Sequence, residues 1–405
     1  MAERSAPSAG TTRVSGWRRS GKTAAGLCGE SWPLDRVAGN AMTRLWLRLI
    51  ALLLLLQVTL TSVVMAAGQR DTRPRQQLAY YSHRHGQGHI LLVDVRHGLA
   101  VRLLRNDPYV VSIAWSPDGE TLAFIAYDNM GVYRPYLLLD IATRQLRSPA
   151  HQTSSNEALH WSADGRWLAF NSYNGPRPAI YLIDAASLDV RRMQPEGLLW
   201  HTETSWSPAG TEIAFAGRGS DSVDIYTMDA TCPALDCAPR VLIDHPASDR
   251  LPAWSPDQTR LAFVSDRSGE TAIYVQAIDC APCDDEARHI ADLNMLTTSM
   301  VWAPEGDRLA FTTPPRAIGS AIFVADMTCT DCDPPVYQIT GPAYTDSDPA
   351  WSPDGTMLAY VSRFLNVDNI AVMDVRCVDR ASGCAGERRL LTRYDANVWS
   401  PAWRP

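Results

Sequence analysis

Apolar residues in most of this chain fall into short runs that recur at a nearly constant interval. One run ends at a Trp, a Ser-Pro-Asp-Gly-like tetrapeptide follows, and a second run then begins with Leu-Ala-Phe. The Trp-to-Trp steps are 46, 45, 48, 48 and 49 residues. Self-similarity at such a period is typical of repeat architectures. The six Trp residues are Trp115, Trp161, Trp206, Trp254, Trp302 and Trp351.

Each repeat predicts four short antiparallel strands. In one copy the first strand ends at Trp206, and the second, third and fourth contain Phe215, Ile225 and Val241. Pro presets φ in the intervening turn, and Gly accepts the positive φ that closes it. Four strands in a repeat of this length make one propeller blade. Because one blade cannot bury both of its faces, we expect blades to stack in a ring, with Trp and Phe between neighbours.

The two ends of the repeat region predict how the ring closes. The first unit, which starts at Leu78, lacks its own Trp strand, and the last six residues, 400–405, supply one. Joining them removes an exposed sheet edge. The fold class is therefore an all-β, seven-bladed β-propeller of four-stranded antiparallel blades, closed by the C-terminal strand joining the first blade. The seven Leu-Ala-Phe-like units begin at Leu78, Leu122, Leu168, Ile213, Leu261, Leu309 and Leu358.

These repeats resemble the PD40, or WD40-like, repeats of the TolB-type β-propeller family, from Leu78 to Pro405. The resemblance covers the propeller alone and does not extend to the α/β domain that precedes it in TolB. It implies a scaffold that binds a protein or peptide on its axial face.

The N-terminal segment predicts export. Residues 42–67 show a basic start, a Leu-rich apolar stretch and small residues at the end, which is the order of a signal peptide or signal anchor. Residues 1–41 are then an upstream tail or follow a misassigned start, 68–77 are a short linker, and 78–405 are the propeller. We expect a periplasmic, extracellular or cell-surface protein that touches a membrane only through a possible anchor.

Eight cysteines form four close pairs within the propeller. Paired cysteines in an exported chain favour local disulfides. Zinc, the alternative, needs four ligands around one ion, whereas the pairs lie on different blades that diverge towards the rim. The predicted disulfides are Cys232–Cys237, Cys280–Cys283, Cys329–Cys332 and Cys377–Cys384.

Charge restricts the class of partner. The net charge is −7, and residues 1–67 carry eight basic against three acidic side chains, so the remainder is near −12. Such an acidic body argues against nucleic-acid binding. The expected partners are a protein, a peptide or an envelope glycan.

Loops converge around the axis of a propeller, so we expect binding residues just before the Trp strands and between the second and third strands. Ordinary turn propensity is the alternative, since Asp, Asn and Ser favour turns. The candidates are His201, Glu203, Asp249, Arg250, Asp346, Asp348, Asn397, Arg84 and Arg267. We expect no cofactor beyond a possible divalent metal, for which His85 and His89 are weak candidate ligands.

Catalytic motifs are sparse. The sequence contains no Gly-x-Ser-x-Gly, His-Glu-x-x-His, Walker or dinucleotide-binding motif. We therefore expect a binding platform rather than an enzyme. The alternative, implied by a resemblance of some PD40-type propellers to oligogalacturonate lyases, is a metal-assisted polysaccharide lyase or hydrolase acting on acidic glycans. A third hypothesis is a glycan- or envelope-binding module without catalysis.

Overall fold

The computed structural model describes only part of the chain, and all of that part belongs to one compact unit, Pro74–Pro405. The predicted tail and export segment, residues 1–67, lie outside the described residues. Over the described residues, no helix combines the length and apolarity needed to cross a membrane. The described ranges are 76–84, 87–104, 109–127, 133–149, 159–172, 178–193, 198–232, 238–278, 287–293, 299–313, 320–329, 333–341, 344–376, 388–392 and 397–405.

Within these ranges the chain forms 28 strands. In chain order they are β1 (Gln77–Arg84), β2 (Gln87–Asp94), β3 (Leu99–Arg102), β4 (Tyr109–Trp115), β5 (Thr121–Tyr127), β6 (Tyr133–Asp140), β7 (Leu146–Arg147), β8 (His160–Trp161), β9 (Trp167–Ser172), β10 (Ala179–Asp184), β11 (Val190–Arg192), β12 (Trp200–Trp206), β13 (Glu212–Arg218), β14 (Val223–Asp229), β15 (Arg240–Ile243), β16 (Asp249–Trp254), β17 (Arg260–Ser265), β18 (Ala272–Ala277), β19 (Arg288–Asp292), β20 (Met300–Trp302), β21 (Arg308–Thr313), β22 (Ala321–Asp326), β23 (Val336–Gln338), β24 (Thr345–Trp351), β25 (Met357–Phe364), β26 (Val367–Asp374), β27 (Arg389–Leu390) and β28 (Asn397–Trp403).

The described strands make seven four-stranded antiparallel sheets, which are the blades of the propeller. Blade 1 has the strand order β28-β1-β2-β3, and blades 2 to 7 take the following strands four at a time. The innermost strands, β28, β4, β8, β12, β16, β20 and β24, contact one another in a closed circle. The predicted seven-bladed all-β propeller is confirmed.

The C-terminal strand closes the ring as predicted. Leu78 of β1 pairs with Trp403 of β28, and Ala79 pairs with Ala402. The N–H of Arg404 then donates to the carbonyl of Gln77 at 2.8 Å. Blade 1 is thus built from both ends of the repeat region, and it has four strands like the other six blades.

The hydrophobic core is divided among the junctions between blades. Seven buried clusters occur in the described residues, and each joins two neighbouring blades. The Phe of the Leu-Ala-Phe run is fully buried in five blades, at Phe124, Phe170, Phe215, Phe263 and Phe311. The ring is therefore stabilised by burial between blades, at roughly 25 cal/mol per Å² of apolar surface removed from water.

Six of the seven inner-strand Trp residues also have a polar function that core packing alone does not predict. The indole N–H of each of these six donates to a backbone carbonyl of the preceding blade, over 2.9–3.2 Å. Trp254 differs, since its indole nitrogen has no hydrogen-bond partner among the described residues. Instead, the backbone N–H of Trp254 donates to the hydroxyl of Ser205 at 3.3 Å.

The Ser-Pro-Asp-Gly turn forms as predicted. In blade 2 the Ser116 hydroxyl donates to the Asp118 carboxylate at 2.5 Å and accepts from the N–H of Thr121 at 2.9 Å. Gly119 has φ +68°, and in the blade where Gly is absent Gln258 adopts φ +60°. This turn fixes the direction in which the second strand leaves the inner strand.

Two of the eight predicted disulfide cysteines lie within the described residues. Cys232 and Cys329 each take part in a disulfide bond. Their predicted partners and the other four cysteines lie outside the described residues. The four pairings therefore stay predictions. The carbonyls of Cys232 and Cys329 accept hydrogen bonds from Arg191 and Arg288 of the preceding blades, both at 2.7 Å. These bonds attach two cysteine-bearing segments to their neighbours.

Candidate functional site

The residues on which the binding prediction rests lie at one end of blades 1, 4, 5 and 7. Strand pairing places Asn397 beside His83, Thr345 beside Arg363, and Asp249 beside Ser265. The starts of inner strands therefore lie next to the hairpins that join second and third strands. This is the axial face on which convergent side chains were expected.

A β-bulge interrupts the inner strand in five blades. The pairing with the second strand shifts at this point in β28, β12, β16, β24 and β4. In four of them the residue three positions before the Trp has a positive φ: Glu203 (59°), Leu251 (52°), Asp348 (52°) and Ser400 (55°). A bulge re-aims a side chain and breaks the strict alternation of the strand. The bulge was not predicted, although Pro follows three of these four residues, at Pro252, Pro349 and Pro401, and Pro within a strand is typical of a bulge.

Glu203, one of the predicted binding residues, connects blade 4 to blade 5. Its carboxylate accepts a hydrogen bond from the backbone N–H of Leu251 at 2.9 Å. The other carboxylate oxygen lies 3.9 Å from the guanidinium of Arg250, a second predicted residue. Both side chains thus stabilise the junction at the equivalent bulge of the next blade.

Asp249 and Arg267 form a buried ion pair with 3.1 Å between guanidinium and carboxylate. Arg267 also lies over the rings of Phe263 and Tyr274, each at 5.0 Å. Burial raises the pKa of Asp249, while bonds from Ser265 and Arg267 oppose the rise. Since Asp249 is inaccessible to solvent, this pair stabilises its blade and offers no surface to a ligand.

Asp346 occupies the position in blade 7 that Asp249 holds in blade 5, and it is likewise buried. Its carboxylate accepts from the hydroxyl of Ser362, which in turn accepts from Arg388 at 2.6 Å. Burial raises the pKa of Asp346. Asp346 was expected to contact a ligand, but the structure places it inside the blade because it pairs with the second strand ahead of the bulge.

Two of the predicted residues, Asp348 and Asn397, meet in one cleft between blades 7, 1 and 2. This axial cleft encloses about 400 Å³. Its lining is His83, Tyr109, Val111, Ser347, Asp348, Val361, Arg363, Asp368, Asn397 and Trp399. It is the candidate functional site.

One wall of the axial cleft is aromatic. The rings of Tyr109 and Trp399 lie 5.0 Å apart between centroids, and His83 lies 6.1 Å from Tyr109. The indole of Trp399 is held by a 2.6 Å hydrogen bond to the carbonyl of Val110. Tyr109 remains 48% exposed. Sequence analysis did not select Tyr109 or Trp399, although both precede the Trp of their inner strands.

The charges of the axial cleft are unequally paired. Arg363 donates to both oxygens of Asp368, at 2.6 and 3.0 Å. Asp348 has only a 3.4 Å bond from the Ser347 hydroxyl among the described residues. Its side chain is reachable by solvent, yet the surrounding blades displace much of its hydration. This desolvation raises the pKa of Asp348, and the Asp368 carboxylate adds to the rise while Ser347 opposes it.

The weak metal candidates are not brought together in the described residues. His85 and the side chains of Arg84 and His201 lie outside what the structure describes. His89 is 9% exposed, and burial, followed by Arg102 and His83, lowers its pKa. Over the described ranges, no three His, Cys, Asp or Glu side chains form a group that could hold a metal ion. A metal site stays a prediction.

Comparisons with known proteins agree with this architecture. The family model PD40, described as the TolB beta propeller domain, matches residues 201–405. The Tol-Pal system protein TolB of Francisella tularensis subsp. mediasiatica is 37% identical over 78 residues, which is 18% of this chain and 18% of that relative. The match therefore spans less than a fifth of the curated relative.

Two solved structures illustrate the range of similar folds. TolB from Acinetobacter baumannii is 19% identical, with a TM-score of 0.46 over 82% of this chain and 67% of that one. An oligogalacturonate lyase from Vibrio parahaemolyticus is 12% identical, with a TM-score of 0.57 over 74% of this chain and 86% of that one. At such identities the likeness concerns the fold alone.

Proposed function

Since the chain belongs to the TolB β-propeller family, we propose that it is an exported scaffold that binds a segment of a partner protein in the axial cleft. The observation that carries this proposal is the cleft itself, where an aromatic wall faces an accessible carboxylate. A cavity of about 400 Å³ is within the usual range of volume for ligand sites.

A protein partner is favoured over a small substrate by two features. The cleft is open and continuous with the strand starts of three blades, so it can admit an extended segment rather than enclose a molecule. A curated relative is named as a component of the Tol-Pal system, which suggests protein partners in general. Aromatic side chains such as Tyr109 and Trp399 are the residue types that contribute most at protein interfaces.

Site-specific photo-crosslinking tests the proposal. A photoreactive phenylalanine derivative replaces Tyr109 in the cleft or, as the matched control, Leu99, which is 70% exposed on the outer strand of blade 1. We expect position 109, and not 99, to crosslink one segment of an exported protein in cells of the native host. Identical products at both positions, or none at 109, would refute binding in the cleft.

Export has a separate test. The signal-like residues 42–67 support it, and mass spectrometry of protein recovered outside the cytoplasm should show either a new N terminus close to residue 67 or an intact anchor. Recovery only from the cytoplasm would contradict this part of the proposal.

The metal-assisted lyase remains an alternative from sequence. The oligogalacturonate lyase to which this chain is similar shares its fold. No geometry among the described residues favours that reaction over binding. Mn²⁺ binding to the purified chain can be measured by calorimetry. Stoichiometric binding that is lost when His85 and His89 are replaced would support the lyase hypothesis.

A further inference from the structure

We propose that the axial cleft recognises a positively charged side chain, Lys or Arg, of the partner segment, with Asp348 as its counter-ion and Tyr109 and Trp399 as its aromatic wall. The inference rests on the proposed function and specifies the chemistry of its ligand. Its basis is the juxtaposition, within one cavity, of an accessible carboxylate and an aromatic pair in which Tyr109 is exposed and Trp399 is partly buried.

The charged side chains that line the axial cleft do not balance one another. Arg363 and Asp368 satisfy each other through two hydrogen bonds, so this pair contributes little net charge to the cleft. Asp348 is left with one long bond from Ser347 and no cationic partner among the described residues. The cleft therefore carries one uncompensated negative charge, which a ligand cation would neutralise in an environment less polar than bulk water.

The aromatic wall of the axial cleft has a defined geometry. Tyr109 and Trp399 stand about 5.0 Å apart at a tilt of 44°, and the bond from Trp399 to Val110 fixes the orientation of the indole. Aromatic faces attract Lys and Arg head groups through cation–π interaction. They also cover the apolar stems of these side chains, which bury their methylenes while the charged end stays at a polar group.

The backbone at Asp348 has a left-handed conformation. Asp348 adopts φ +52° at the bulge, a region that costs a residue with a Cβ of order 1 kcal/mol or more. At the same position of blade 4 this conformation allows Glu203 to bond the next blade. Asp348 makes no such bond among the described residues, so its aim into the cleft serves no visible structural purpose. Positive φ recurs at this position in Leu251 and Ser400, so the feature particular to Asp348 is a carboxylate with open acceptors rather than the backbone conformation.

Selection from a phage-displayed library of random peptides tests the inference on the full chain. We expect the selected peptides to share a Lys or Arg and to lose binding to the Tyr109→Ala variant. For an Arg-containing winner, replacing Arg by neutral citrulline should weaken binding about tenfold or more, the range for a hydrogen bond to a charged group. Asp348→Asn should cause a similar loss, and the two changes together should cost little more than either alone.

Matched controls separate recognition from folding. Asn is isosteric with Asp and tolerates a left-handed backbone, so Asp348→Asn should not lower the melting temperature. Asp333→Asn removes an equally exposed charge from the loop between β22 and β23, away from the cleft, and should leave peptide affinity unchanged. Loss of binding in this variant would point to overall charge rather than Asp348.

The remaining outcomes are distinguishable. Peptides that need Tyr109 but contain no basic residue, or that carry an acidic residue and need Arg363, would overturn the charge inference and leave the proposed function standing. Failure to obtain any peptide sensitive to Tyr109→Ala would overturn both.

Discussion

Glu203 and Asp348 occupy the same position in two blades, three residues before the inner-strand Trp, and both lie at a bulge with positive φ. Glu203 reaches the next blade and accepts the N–H of Leu251. Asp348 is one methylene shorter, and its carboxylate lines the axial cleft instead. At this repeat position Glu203 therefore joins its blade to the next one, as the hydroxyl of Ser400 also does by donating to the Val111 carbonyl at 3.1 Å, whereas Asp348 makes no such bond among the described residues.

The Trp residues at the same two junctions differ in the opposite sense: among the described residues, the indole forms a hydrogen bond across the junction only where the carboxylate does not. Where Glu203 joins blades 4 and 5, the indole of Trp254 has no acceptor in the described part of the chain. Where Asp348 faces the cleft, the indole of Trp403 donates to the Ala350 carbonyl at 2.9 Å. Each junction thus has a polar bond across it, but only one of them leaves a carboxylate free for binding.

The largest expected effect is loss of ring closure. Deleting residues 400–405 removes half of β28, the buried Trp403 and the bond from Arg404 to the Gly119 carbonyl at 2.8 Å. Loss of a buried Trp alone costs about 3–5 kcal/mol, so we expect the melting temperature to fall by about 10 °C or more. Calorimetry checks this, with deletion of Pro405 alone as control. An unchanged melting curve would contradict the closed ring.

Glu203→Ala and Asp348→Ala should differ strongly although they alter equivalent positions. Both variants place Ala at positive φ, so that cost cancels in the comparison. Glu203→Ala additionally loses a charge-assisted bond to Leu251, worth about 1.5–3 kcal/mol. Denaturant unfolding should therefore show a larger loss for Glu203→Ala by that amount. Equal losses would mean that Asp348 also joins blades.

Replacing Trp by Phe at the two junctions sharpens the comparison at a smaller scale. Trp403→Phe loses packing and the bond to Ala350, whereas Trp254→Phe loses packing alone. The difference in unfolding free energy should be about 1 kcal/mol, the net contribution of one hydrogen bond. If Trp254→Phe proved the more destabilising, its indole would have an acceptor in solution.

The sequence was sufficient for the architecture because the repeat expresses it many times. The Trp and Phe positions, the Ser-Pro-Asp-Gly turn and the matching C-terminal segment each follow from period and turn chemistry, and the structure confirms the fold that they predict.

The candidate site was only partly predictable. Asp346 and Asp348 are two residues apart, so strict strand alternation would place both on one side. The bulge at Asp348 instead leaves Asp346 buried and Asp348 accessible. Pro349 is a sequence signal for this shift, since Pro within a strand is typical of a bulge, but the side chains of Asp346 and Asp348 do not show which of them is buried. Composition likewise could not separate Asp249, which is neutralised by Arg267, from an acid that faces solvent.

The smallest expected effect is a change in how stability depends on pH. The pKa of Asp348 is raised from its ordinary value of 3.8, so the folded chain binds this proton more tightly than the unfolded chain does. Its contribution to stability is therefore unfavourable at neutral pH and is relieved as pH falls through the raised pKa towards 3.8.

Asp348→Asn should abolish this unfavourable contribution. The variant should be slightly more stable than the parent at pH 7, and the difference between them should shrink near pH 4. Asp249 and Asp346 are unchanged in both proteins, so subtracting the two stability curves isolates Asp348. A variant that is less stable at pH 7 would show that the ionised carboxylate stabilises the fold, and Asp348 would then resemble Glu203 rather than a residue held ready for a cation.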